Sequence, residues 1–166
     1  ELVGMPDTLK EAAAALAEEK GQKGKWVVTM DYPSYIPFMT YCANRPRREE
    51  LYKVFASRGY KGDDNDNREI VKQIVKLRHE RANLLGYATH AHFVLEERMA
   101  ESPEKVKGFL KEMLEYAKPV AEKDVAEALA YAKKLDGLDD LQRWDFSYYS
   151  EKLKKEKYAI DDELLK

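Results

Sequence analysis

A chain of 166 residues is long enough for one domain with a core of its own. Lys, Arg, Asp and Glu make up 36% of it, yet the formal net charge is only −2, which gives neither nucleic acid nor an anionic membrane an electrostatic reason to bind. Cys42 is the only cysteine, which excludes an intramolecular disulfide and a cysteine-based zinc site, and no apolar run reaches the length of a bilayer span.

The high charged fraction is what many amphipathic helices, each exposing a polar face, would produce. Thr8-Leu9-Lys10-Glu11 fits a capping box, and the alanine-rich stretch to Lys20 predicts a helix ended by Gly21. Lys25-Trp26-Val27-Val28-Thr29-Met30 is β-branched and aromatic, bounded by Gly24 and by Asp31-Tyr32-Pro33, and reads as a strand. No second strand of similar strength follows, so its partner is expected outside the chain.

From Pro33 to Cys42 the pattern is helical, and Pro37 makes the helix short or bent. Pro46 suits the first turn of another helix, Arg47 to Arg58, burying Leu51, Val54 and Phe55. After a polar loop through Gly59 and Gly62, Asp66-Asn67-Arg68-Glu69 has capping-box spacing and opens a helix that stops at Leu85-Gly86. A short helix is predicted from Thr89 to Met99. Ser102-Pro103-Glu104 then starts a long one, with apolar residues at helical spacing from Val106 to Leu135, either bent at Pro119 or split there. Trp144 to Tyr158 is the last full helix. The predicted class is all-α, helical hairpins with one short β segment.

The chain begins with Glu1, carries no signal peptide, and ends on Asp161–Lys166, which reads as the first turn of a helix. These features are expected of a single helical segment, residues 1–166, within a longer polypeptide.

Three groups of residues invite a chemical reading. His79-Glu80-Arg81-Ala82-Asn83 begins like the zinc-peptidase motif HExxH, in which two histidines one turn apart share a metal and the glutamate activates water. Asn83 stands where the second histidine is needed. Ile70, Ile74, Leu77 and Leu84 share a face, and His79 points to the other side. His90 and His92, two residues apart, diverge on a helix. A small metal-binding helical protein using His79, Glu80, His90 and His92 is the weakest functional reading. Asp63-Asp64-Asn65-Asp66-Asn67 resembles the start of a calcium loop, but Arg68 and Ile74 occupy the positions that need Gly and Glu. Tyr32, Tyr35, Phe38 and Tyr41 form a stripe that either packs on the core or lines a peptide channel, and Trp144, Phe146, Tyr148 and Tyr149 pose the same choice.

The order of local phrases adds a resemblance. Thr29-Met30-Asp31-Tyr32-Pro33-Ser34-Tyr35-Ile36-Pro37-Phe38-Met39 looks like a segment of the M3-family zinc metallopeptidases. Asp66-Asn67-Arg68-Glu69-Ile70, Leu77-Arg78-His79-Glu80, Leu84-Leu85-Gly86-Tyr87, Met99-Ala100-Glu101-Ser102-Pro103-Glu104 and Trp144-Asp145-Phe146-Ser147-Tyr148-Tyr149-Ser150-Glu151 follow in the family's order. The resemblance spans nearly the whole chain and lies nearest the peptidyl-dipeptidase branch. It implies a cytosolic or periplasmic oligopeptidase, a helical shell around a deep channel, with short peptides as substrates and zinc as cofactor. The family's zinc ligands, its general base and its substrate-contacting loop map onto no residue here, so no catalytic or metal-binding residue is assigned, and substrate-binding residues are left open. The implied role is a non-catalytic part of the channel wall, with the remainder of the polypeptide as partner. An independent helical protein-interaction module is the alternative.

Overall fold

The computed structural model describes residues 1–160, so the helical turn expected at Asp161–Lys166 lies outside the described residues. Along them the chain is all-α, with helices α1 (Asp7–Glu19), α2 (Tyr32–Tyr41), α3 (Arg45–Ala56), α4 (Arg68–Leu84), α5 (His90–Leu95), α6 (Pro103–Asp136) and α7 (Phe146–Tyr158). The chain divides into two compact units, one of Glu1–Ala56 with Asp124–Lys166 and one of Ser57–Lys123.

In the first unit, α1 begins one residue before the predicted cap. Pro6 occupies the cap position, and its carbonyl accepts from the amides of Leu9 and Lys10, each at 3.2 Å, so Thr8 sits inside the first turn. The segment 25–30 is not a strand: no strand occurs among the described residues for it to pair with. Its donors go to helices instead, Val27 N–H to the Ala13 carbonyl at 3.0 Å and Thr29 N–H to Ser34 Oγ at 3.0 Å. The extended chain satisfies its backbone locally, and β-propensity alone does not decide the matter.

α2 packs against α3 and α7. Its Phe38 and the following cap residue Cys42 are buried with Met5 in a core flanked by Leu2, Leu9, Val28, Tyr41 and Leu51. Within α3, Leu51 and Phe55 are half-buried as expected, but Val54 is exposed. A second core joins Ala132 of α6 to Tyr148 and Tyr149 of α7. Gly4 fixes the entry to the fold: its φ is +87°, and a Cβ there would collide with the Tyr41 carbonyl. Only glycine lets the terminal segment lie close enough for Ala43 N–H to reach the Val3 carbonyl at 2.7 Å.

The second unit holds α4, α5 and the first part of α6. The loop before α4 folds around Asp66, whose carboxylate accepts from Gly62 N–H at 2.6 Å and Arg68 N–H at 3.0 Å. α4 ends as the Leu85-Gly86 pair predicts, with Gly86 at φ +87° and Tyr87 N–H bonded to the Ala82 carbonyl at 2.9 Å. α5 stops at Leu95, short of the predicted Met99. Ser102 caps α6 as predicted, accepting from Lys105 N–H at 3.2 Å, and Pro103 takes the first helical position. α6 runs unbroken for 34 residues through Pro119. Only Ala82 and Pro103 are buried in this unit. Its helices expose Ile70, Val71, Ile74, Leu77, Phe109 and Leu110.

Candidate functional site

The most constrained polar group of the first unit is a carboxylate held by two arginines. Arg45 and Arg48 lie one turn apart on α3, and Asp145 immediately precedes α7. Asp145 accepts from Arg45 Nε at 3.0 Å, Arg45 Nη2 at 2.8 Å, Arg48 Nη2 at 3.1 Å and the Gln142 amide at 3.0 Å. Arg48 also donates from Nε to the Trp144 carbonyl at 2.9 Å and from Nη1 to the Cys42 carbonyl at 2.7 Å. Its guanidinium sits 4.1 Å from the Tyr148 ring centroid. Arg48 and Asp145 are both fully buried. Burial works to raise the Asp145 carboxyl, but Arg45, the Gln142 amide and Arg48 together outweigh it and hold it below the usual carboxylate range.

This cluster ties the end of α2, the start of α3 and the turn before α7 into one piece. Each of the three guanidinium nitrogens of Arg48 donates to a protein acceptor and the side chain is fully buried, which marks it as a structural group. Sequence reasoning missed it, because Arg45-Pro46-Arg47-Arg48-Glu49-Glu50 looks like a solvated helix start. One signal was available: arginines in a first turn oppose the helix dipole and need a compensating carboxylate.

The sequence-derived candidates fare differently. Asn83 Nδ2 lies 3.0 Å from His79 Nε2, so the residue in the second-histidine position occupies the imidazole that a metal would need. His92 Nδ1 pairs with Thr89 Oγ1 at 2.8 Å, while His90 Nδ1 lies 3.4 Å from Arg81 Nη2. Among the described residues no three His, Cys, Asp or Glu side chains converge on one point. The residues present therefore do not fit zinc. Asp66 of the acidic loop is committed to Arg68, whose guanidinium, with the amides of Arg68 and Gly62, holds its carboxyl well below the usual range.

The aromatic stripe splits. Tyr35 and Phe38 are buried, and Tyr35 stacks on Phe55 with centroids 4.0 Å apart. Tyr32, 70% exposed, and Ile36 remain on the open side of α2. In the α7 group, Tyr148 and Tyr149 are core residues and Phe146 is exposed. Tyr149 donates to Asp136 Oδ2 at 2.8 Å, and burial, followed by that carboxylate, pushes its hydroxyl pKa up. Trp144 precedes α7, not within it as predicted, with Lys53 Nζ 5.6 Å from its ring centroid. A groove in the same unit is lined by Thr8, Tyr41, Tyr148, Glu151, Lys152 and Lys155, a mixed set without a convergent charge.

No helix among the described residues is long and apolar enough to cross a membrane. The model of peptidase family M3 matches residues 38–166. Oligopeptidase A of Salmonella typhimurium is 44% identical over 100% of the chain, which covers 25% of that protein. A probable cytosolic oligopeptidase A of Arabidopsis thaliana is 36% identical, with 100% of this chain and 24% of the relative aligned. Dipeptidyl carboxypeptidase of Escherichia coli is 31% identical, again over 100% of this chain and 24% of the relative. The chain thus spans about a quarter of the length of the curated relatives it matches.

Proposed function

The chain belongs to peptidase family M3, and from that membership we propose that it is one non-catalytic helical segment of a zinc oligopeptidase that hydrolyses short peptides. The observation that carries this reading is the alignment of the whole chain with oligopeptidases over only a quarter of their length. The pairing of His79 with Asn83 supports the non-catalytic part, since that imidazole is turned to its own helix and no second histidine stands beside it. Zinc is supplied by the remainder of the parent in this reading, where it would polarise the scissile carbonyl. Removal of dipeptides from a free C-terminus is a narrower reading; its support is the 31% identity to a dipeptidyl carboxypeptidase, below the 44% identity to oligopeptidase A.

The test sets the full-length gene product beside the 166-residue chain on a short peptide with a free or a blocked C-terminus, with zinc added. Cleavage of both peptides by the full product alone supports an oligopeptidase, and cleavage of the free peptide alone supports dipeptide release. Zinc-dependent cleavage by the 166-residue chain would overturn the non-catalytic assignment.

Within the parent, the segment contributes to the wall of the channel that receives the peptide. The support is Tyr32 and Ile36, which α2 leaves on its open side while Tyr35 and Phe38 face inward. A wall residue makes contacts that are equal in ground and transition states, so Tyr32→Ala in the full-length enzyme should raise KM about fivefold, equivalent to roughly 1 kcal/mol, with kcat unchanged. Steady-state kinetics on peptides of two lengths checks this. An unchanged KM and length preference would remove Tyr32 from the wall.

A further inference from the structure

We propose that the apolar face on the first half of α6 seats another amphipathic helix of the same polypeptide, one lying outside these 166 residues. This inference rests on the reading of the chain as a segment of a longer peptidase.

The second half of α6 shows what covers this face. Ala128 and Ala132 are almost fully buried there, and Ala132 packs with Tyr148 and Tyr149 of α7. Three polar contacts fix the direction of α7. Tyr149 reaches Asp136 at 2.8 Å, Glu156 pairs with Lys134 at 2.9 Å, and Lys157 pairs with Glu127 at 2.6 Å. α7 therefore runs antiparallel to α6, from Asp136 back towards Glu127, and ends at Tyr158.

The covered stripe continues in the sequence. At 3.6 residues per turn, a separation of about 18 residues is about five whole turns and restores the same side of a helix. Leu110 and Leu114 hold that register relative to Ala128 and Ala132. Both leucines are 58% exposed, and Phe109, Met113 and Val120 beside them are 60%, 44% and 56% exposed. Glu115 lies opposite the stripe, while Lys107, Lys111 and Lys118 flank its Leu114 edge as a charged rim.

The chemistry selects the occupant. The rim mixes both signs of charge, which gives a polyanion or a membrane surface no purchase, while the aliphatic and aromatic stripe matches the apolar face of a helix. The layer that already covers the adjoining stripe comes from the same chain. Relatives carry about three quarters of their length outside the aligned region, which is ample polypeptide to extend that layer. The second unit buries only Ala82 and Pro103, so α6 has no other internal cover there.

The experiment uses the full-length gene product with the photo-crosslinker p-benzoyl-phenylalanine in place of Leu114, and in place of Glu115 as the opposite-face control. The expected result is an intramolecular crosslink from position 114 to a peptide outside residues 1–166, and none from position 115. A crosslink at dimer mass, a crosslink within residues 1–166, or none at position 114 would overturn the inference. Hydrogen exchange on the unmodified full-length protein needs no variant: amides of 106–121 should exchange within about tenfold of those of 128–135. Exchange about a hundredfold faster would mean an open face and would also overturn it. An intact mass near the 19.3 kDa of this chain would instead remove the longer-peptidase reading itself. A full-length mass with an open face defeats the inference alone.

Discussion

Asp145→Ala is expected to cost about 3–5 kcal/mol, the usual penalty for breaking a buried ion pair from one side. The size follows from what is left behind. Arg45 has a side chain 37% exposed and can turn its guanidinium to water once its partner is gone. Arg48 cannot, because its side chain is fully buried and two of its donors are already committed to the carbonyls of Cys42 and Trp144. Moving it would strip both carbonyls, and leaving it strands a charge in the core. Urea unfolding of the 166-residue chain measures the loss. A double-mutant cycle with Arg48→Met should show a coupling of about 1 kcal/mol or more between the two positions. A cost below about 1 kcal/mol for Asp145→Ala would mean that water reaches Arg48.

The same carboxylate sets a pH dependence whose sign can be fixed. Its pKa in the folded chain lies below the ordinary value, since the arginines and the Gln142 amide outweigh burial. A group of this kind stabilises fully above its unfolded pKa, about 3.9 for aspartate, and the contribution drains as pH falls through the folded value. Stability should therefore be flat in this term from neutral pH to about pH 5 and fall below about pH 4. Asp145→Asn removes the titration, so the difference between wild type and variant should shrink over that acid range. A difference that stays constant down to pH 3 would show that the carboxylate does not titrate with unfolding.

Helix existence was legible in the sequence because a 3.6-residue period and end signals agree. Ser102-Pro103 opens α6 and Leu85-Gly86 closes α4 where the local chemistry says they should. The segment 25–30 failed because strand propensity describes side chains, while a strand needs a neighbour's backbone; α1 and Ser34 supplied the partners instead. The Arg48–Asp145 pair was illegible for a different reason. Its members lie 97 positions apart, and neither sits in a local pattern that distinguishes a buried ion from a surface one. The order of short phrases revealed the family, yet those phrases leave oligopeptidase and dipeptide-releasing relatives unseparated, and both kinds align over the whole chain.

Phe38→Ala should also cost about 3–5 kcal/mol, by a different mechanism. Phe38 is 5% exposed and lies where four parts of the chain meet: Met5 and Leu2 from the terminal segment, Leu9 from α1, Val28 from the extended stretch and Leu51 from α3. Removing the ring forfeits its transfer free energy and leaves a cavity that these elements close only in part, since each is anchored elsewhere. The terminal segment is pinned by the Val3–Ala43 bond, the extended stretch by Val27 to Ala13, and α3 by Arg48. Ile36, two positions away on the same helix, is 49% exposed, and Ile36→Ala should cost under about 1 kcal/mol. Urea midpoints of the two variants measure the contrast directly. If the two losses were equal, α2 would be turned relative to its described orientation, and Tyr32, four residues before Ile36, would lose its place on the open side. In the full-length enzyme Phe38→Ala should leave KM unchanged while the protein stays folded, because the ring faces inward and its role is to hold α2 against the core.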